Sequence, residues 1–240
     1  PNNFTTSVSD FMGNFVGTPN NGVITININK SLNTVIGGNT YVHGINLISN
    51  PYPSNIDLDK FFVANPSLEK VARFWTNINP NPAMQGSGYP NGGFINNYAF
   101  YNIVGGLPAP GPACEASPSK CSPTPTNIVK VGQGFFVHVA SSVAPGTNDI
   151  PITFNNSIRA ATNSGSFFNG KIANATKDRY WLELKTPLDF VTPLLVGYVK
   201  GSTNAYDEDY DVELNVIGAD SFYTILDNKK LGIQGRKYPV

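Results

Sequence analysis

The sequence predicts an all-β protein, an antiparallel β-sandwich of jelly-roll or immunoglobulin-like type carrying one short helix. Three observations lead there. Several segments alternate apolar and polar residues with period two, clusters of Gly, Pro and Asn separate them, and a single stretch carries a helix-start pattern.

The first clear strand is "VITININ", with Ile24, Ile26 and Ile28 on one face and Thr25, Asn27 and Asn29 on the other. "INLISNPYPSNIDLDKFF" (45–62) then takes an apolar strand into a corner. Pro51 and Pro53 remove two backbone donors, so a sheet ladder cannot run through them. Each proline pushes its predecessor, Asn50 or Tyr52, toward extended geometry. Tyr52 can lay its ring on the core while its hydroxyl finds a carbonyl, and Asn50 can bond nearby backbone and hold the turn. A structural corner explains every residue of the motif without chemistry. Next comes a short helix near 56–64, with Ser54 as the expected N-cap, Asp57 as its carboxylate partner and Pro66 as the stop.

"VARFWTNI" reads as a strand, because aromatic and β-branched residues recur in it. "GFFVHVA" sets Phe135, Val137 and Val139 opposite Phe136, His138 and Ala140. "RYWLELK" sets Tyr180, Leu182 and Leu184 against Arg179, Trp181, Glu183 and Lys185. "SFYTILDNKKLGIQGR" reads as two strands around a four-residue loop, Asp227-Asn228-Lys229-Lys230. Ahead of "RYWLELK", the stretch "TNSGSFFNGKIANATKD" lacks apolar periodicity. The expected organisation is a β-sandwich domain over 1–165 with the short helix, a linker over 166–177, and a second β domain over 178–240. About 60 residues are few for an independent sandwich. The second domain is therefore expected to be incomplete without a C-terminal continuation, or to lean on the first.

Composition narrows the function classes. The 240 residues include 15 Phe and 11 Tyr, ample for a core, which excludes a disordered chain. Charged residues make up 13%, about half the usual share, and the formal net charge is zero. Nothing draws the chain toward nucleic acid or an anionic membrane surface. No apolar run approaches the roughly 20 residues of a spanning helix. The chain starts at Pro1, and it reads as a mature piece of something longer whose targeting information is gone. Cys114 and Cys121 lie in "GLPAPGPACEASPSKCSPTPTN". Metal binding would want further Cys or His nearby, and a redox pair would favour C-x-x-C. A local disulfide fits best, contributes roughly 2–3 kcal/mol for so short a loop, and favours an oxidising, extracellular compartment.

The segments "INLISNPYPSNIDLDKFF", "VARFWTNI", "NNYAFYNIVGG", "VGQGFFVHV" and "ITFNNSIRA" occur in that order. After them come "DRYWLEL", "LLVGYVKGSTNAYDEDYD" and "SFYTILDNKKLGIQGRKYPV". This ordered series resembles the region just upstream of the C-terminal sorting domain in cargo proteins of the Bacteroidota type IX secretion system. Gliding adhesins and other cell-surface proteins belong to that group. The likeness covers nearly the whole chain; Ile45 stands where the family often has an aromatic residue. It implies a β-rich, non-catalytic module on an exported protein, displayed at the cell surface after engaging the type IX machinery. It names no ligand.

Candidate site residues are few. Trp75, Tyr98, Tyr101 and Trp181, with Tyr89, could form an aromatic platform for sugar rings; cross-strand packing is the plainer use of such residues. In "NAYDEDYDVE", Asp207, Glu208, Asp209 and Asp211 are close enough to hold Ca²⁺, the one cofactor with a candidate site, although the run lacks the Gly and terminal Glu of an EF-hand loop. A solvated acidic loop is the simpler reading. Asp57 and Asp59, two apart, do not face each other on a helix and suit its start. His43 and His138 have no nucleophile motif or zinc spacing beside them. The expectation is therefore a non-enzymatic, extracellular cell-surface module for adhesion or surface assembly, with a surface glycan or a protein as ligand. Its rivals are a carbohydrate-binding module attached to a secreted enzyme and a structural subunit associated with the secretion machinery.

Overall fold

The computed structural model describes residues 16–76, 98–113, 121–161, 178–187, 189–214 and 221–238. The first part supplies β1 (Ile24–Lys30), β2 (Thr34–Ile36), β3 (Asn39–Tyr41), β4 (Ile45–Ser49) and β5 (Asn55–Asp57), then the helix α1 (Leu58–Ala64). Next come β6 (Ala72–Trp75), β7 (Tyr98–Tyr101), β8 (Gly106–Leu107) and β9 (Gly111–Pro112). They are followed by β10 (Ile128–Val129), β11 (Gly134–His138), β12 (Thr147–Phe154) and β13 (Arg159–Ala160). The last part adds β14 (Asp178–Lys185), β15 (Phe190–Val199), β16 (Val212–Glu213), β17 (Thr224–Leu226) and β18 (Lys229–Lys237). The protein is all-β and sandwich-like, with one short α-helix among the described residues. No helix among them is long and apolar enough to cross a membrane.

The central sheet runs in the order β4-β11-β6-β7-β8, all antiparallel. Its inner face presents Ile48, Phe135, Val137, Phe74 and Tyr101 to a core shared with the β1–β12 ribbon, with β5 and with α1. Alternation in β1 works as the sequence predicts: Ile26 lies opposite Ile152 and Ile28 opposite Ile150, all turned inward. Phe61 of α1 sits between Phe135 at 5.7 Å and Phe154 at 5.0 Å, ring centroid to centroid. Burying each such side chain contributes about 1.5–3 kcal/mol. Lys30 continues the inward face of β1 and is buried as well. Its ammonium stays satisfied by donating to the carbonyls of Ala140 and Val143, each at 2.8 Å.

The Asn-Pro-Tyr-Pro corner is structural. Asn50 accepts from the Tyr52 N–H at 3.0 Å and donates to the carbonyls of Ser54 at 2.7 Å and Lys130 at 3.1 Å. Tyr52 is buried, its hydroxyl donates to Gly22 O at 2.5 Å, and Arg159 stacks 5.4 Å from its ring centroid. The helix start departs from the expected pattern. Asn55–Asp57 is strand, the helix begins at Leu58, and its cap is Asp57, which accepts from the Asp59 N–H at 3.0 Å. Ser54 is instead held by Arg159, whose Nε donates to its hydroxyl at 2.7 Å. Pairing of Ile56 and Asp57 with β10 keeps those residues extended, and that outweighs a cap at Ser54. At the other end Asn65 locks the helix to β12, donating to Phe61 O and Thr153 O and accepting from the Thr153 N–H.

The last strands form a second sheet in the order β14-β15-β18-β16, with β17 beside β18. One pair departs from an antiparallel sandwich: β15 and β18 run parallel, with Leu195 opposite Ile233. The turn between β17 and β18 is also shorter than the sequence reading. Leu226 pairs with Lys229, leaving only Asp227 and Asn228 in the loop, both at positive φ (50° and 62°). That is the two-residue type I′ geometry, whose twist matches the strands. This sheet leans on the first part of the chain. Strand β9 pairs with β15, and Val71, Phe100, Val104 and Leu107 share one buried cluster with Leu195, Val199, Val212 and Ile233. The strand passes so close to Val104 that a Cβ on Gly197 would lie 2.6 Å from its Cγ1. The expected linker, 166–177, lies outside the described residues.

Candidate binding face

Because successive side chains of a strand point to opposite faces, the central sheet has an outer face as definite as its core. β6 sends Ala72 and Phe74 inward and Arg73 and Trp75 outward. In β11, Phe135 and Val137 go inward while Phe136 and His138 go outward. The register then assembles the outer face. Trp75 lies opposite Tyr98, Phe136 opposite both Arg73 and Leu47, and His138 opposite Ile45. Tyr98 reaches across β6 to meet Phe136 edge-on, centroids 5.7 Å apart at 80°.

Among the described residues the second sheet covers one end of this face, where Phe100 and Leu107 join the shared cluster. Elsewhere on the face Trp75 is 47% exposed, Tyr98 36%, Ile45 51% and Leu47 64%. From Ser31 to Ile56 the chain carries no Asp, Glu, Lys or Arg. The open part is therefore an apolar, aromatic-rich surface on a rigid sheet, with its charges gathered along one margin.

That margin is built around Glu69. Its carboxylate accepts from Arg73 Nη2 at 3.0 Å and pairs with Nδ1 of His138. Burial works against ionisation of Glu69, but bonds and charge from His138 and Arg73 outweigh it and hold the carboxyl below its ordinary value. Nε and Nη1 of Arg73 are buried without a hydrogen-bond partner among the described residues. The His138 ring packs on Gly44, where a Cβ would lie 3.4 Å from its Nε2. Glu69 and Gly44 thus flank the imidazole and fix its orientation.

The acidic run closes onto the same margin. Lys70 pairs with Asp209, and the Ser141 N–H and hydroxyl both donate to Glu208. Within the loop, Asp207 accepts from the Asp209 N–H, and Asp211 accepts from Asp207 N–H at 2.8 Å and Gly235 N–H at 2.9 Å. Burial pushes the Asp211 carboxyl up against the pull of those two N–H groups. Burial likewise raises the Tyr206 phenol, helped by Glu69, Glu213, Glu208 and Asp211, and Lys229 lies 4.5 Å from its ring centroid. The carboxylates proposed for Ca²⁺ hold turns within the loop and fasten it to the first part of the chain. Among the described residues no three His, Cys, Asp or Glu side chains gather to hold a metal.

Two of the four aromatic candidates share this face and two do not. Tyr101 points into the core, where its hydroxyl donates to Asp59 at 3.0 Å, and burial with that carboxylate raises its phenol. Trp181 stands at the seam, its indole N–H donating to Gly106 O at 3.0 Å and Arg179 stacked 5.2 Å above its ring. Phe136, Leu47 and Ile45 belong to the face and are not among the candidate site residues read from the sequence. The doublet Phe135-Phe136 is the signal that could have found the first, since two adjacent aromatics in a strand cannot both face the core. Cys121 is disulfide-bonded, while Cys114 and Tyr89 lie outside the described residues.

One family matches the chain, a domain of unknown function, DUF8693, over residues 1–240. The chain belongs to the DUF8693 family. A search of curated proteins found no match to it, and neither did a search of solved structures. In this DUF8693 chain Trp75, Tyr98 and Phe136 form the aromatic cluster on the outer face of the central sheet.

Proposed function

We propose that the protein is a non-catalytic module of a type IX-secreted cell-surface protein, and that its outer sheet face makes the adhesive contact. The observation that carries this reading is the open aromatic face itself. Trp75, Tyr98 and Phe136 stand on adjoining strands with Leu47 and Ile45 beside them. Contiguous exposed apolar surface on a soluble domain marks an interaction site, and rigid aromatics bind with little entropic loss. The extracellular placement rests on the resemblance to type IX cargo, and the bonded Cys121 is in keeping with it. The non-catalytic reading likewise rests on the resemblance to type IX cargo.

The aromatic face equally favours a second reading, a carbohydrate-binding module, since sugar C–H faces stack on such rings. Glycan arrays and protein pull-downs from the cell surface, run with the native chain and with Trp75→Ala and Tyr98→Ala, separate the two. Glycan retention lost in both variants supports the carbohydrate reading; capture of a surface protein lost in both supports adhesion or assembly. Binding unchanged in both variants refutes the role of this face.

A further inference from the structure

We propose that the outer edge of β14 pairs antiparallel with β14 of a second copy of this chain, about a two-fold axis at Trp181. β14 is eight residues long and is the outermost strand of its sheet, hydrogen-bonded to β15 from Asp178 to Lys185. Among the described residues no strand lies on its other side. It contains neither proline nor a bulge, two of the devices that blunt an edge, and its charges are of both signs. Tyr180, Leu182 and Leu184 lie on one face of it, exposed by 45%, 44% and 43%. An apolar stripe on an open edge is a template for strand addition.

Charge selects the occupant and the register. Two antiparallel copies in one continuous sheet must place facing residues on the same side, so the axis passes through a residue of β14. Centred on Trp181, the pairing sets Arg179 across from the partner's Glu183 and Tyr180 across from the partner's Leu182, each contact occurring twice. Centred on Leu182, it would bring Arg179 against the partner's Lys185, a like-charge contact. Centred on Glu183, it would place two carboxylates face to face. Centred on Tyr180, it would shorten the overlap to Asp178–Leu182. Glu183 is exposed and has no hydrogen-bond or ionic partner among the described residues. Arg179 stacks on Trp181 and uses Nη1 on Val104 O at 2.9 Å, while its Nε and Nη2 make no hydrogen bond among the described residues. The strand is therefore complementary to itself in one register.

Sedimentation velocity over a concentration series tests this, with folding of every variant checked by circular dichroism. The native chain is expected to form dimers. Glu183→Arg and Arg179→Glu, each alone, set like charges across the axis twice and are expected to weaken association about tenfold or more. An equimolar mixture of the two variants restores both opposite-charge pairs and is expected to recover dimers. A fold-neutral check uses the exposed positions Tyr180→Cys and Leu182→Cys. Under mild oxidation the mixture is expected to give a cross-linked dimer, since facing Cβ atoms lie about 4.5–5.5 Å apart. A monomeric native chain, association unaffected by both charge variants, or cross-linking by Leu182→Cys alone would each overturn the proposal.

Discussion

Replacing Glu69 by Gln is the most direct test of the charged cluster that borders the central sheet. The carboxylate is largely buried, accepts from Arg73 at 3.0 Å and pairs with His138. Arg73 already has two buried nitrogens without a hydrogen-bond partner among the described residues, so Glu69 supplies the only charge that compensates its guanidinium at close range among them. Removing one member of a buried pair costs roughly 3–5 kcal/mol, because the remaining charge is stranded. Gln keeps an acceptor and the shape, which places Glu69→Gln at the low end, about 3 kcal/mol, at pH 7. The pH dependence follows from the depressed carboxyl. In the unfolded chain the group titrates near 4.5 and in the folded protein below that. Its contribution is fully present above the unfolded value and is lost as pH falls through the folded one. Urea unfolding of the native protein and of the Glu69→Gln variant should therefore show a wide gap at pH 7 that narrows steadily below pH 4.5. A gap under about 1 kcal/mol at pH 7, or one that does not change on acidification, would refute the role given to this carboxylate.

Three further outcomes are expected. Gly197→Ala drives a methyl to 2.6 Å from Val104 and should cost about 1–3 kcal/mol in denaturant unfolding; an unchanged midpoint would mean the seam can yield. Asn228→Val puts a β-branched residue at φ 62° and should cost about 1–2 kcal/mol, whereas Asn228→Gly should leave the thermal midpoint level or higher. Cys121→Ser removes the disulfide and should cost roughly 2–3 kcal/mol, read as a midpoint that no longer responds to reductant.

The fold was legible where one side chain in two had to be apolar. β1 and β11 follow the predicted alternation residue by residue, and the proline corner is held by the very atoms of Asn50 and Tyr52 that chemistry assigns to it. Alternation says which residues share a face, and it cannot say which face is covered. In β14 the apolar set Tyr180, Leu182 and Leu184 is the open one, while Arg179 and Trp181 reach across the seam to Val104 and Gly106. Local patterns also lose to longer-range pairing: Ser54 has a cap's spacing, yet pairing with β10 moves the start to Asp57. The candidate face lay half hidden for the same reason. Trp75 and Tyr98 are recognisable singly, but only the register between β6 and β7 makes them neighbours, and only β11 brings Phe136 to them.

The way the two sheets share a seam bears on how the molecule comes apart. Strand β9, contributed from the middle of the chain, is hydrogen-bonded into the sheet made by its end, and four residues from each part close the shared cluster. Cleavage at residue 161 would leave Val71, Phe100, Val104 and Leu107 bare on one fragment and Leu195 and Ile233 bare on the other. Neither piece should survive excision as a well-behaved protein, and the intact chain should melt in a single cooperative step.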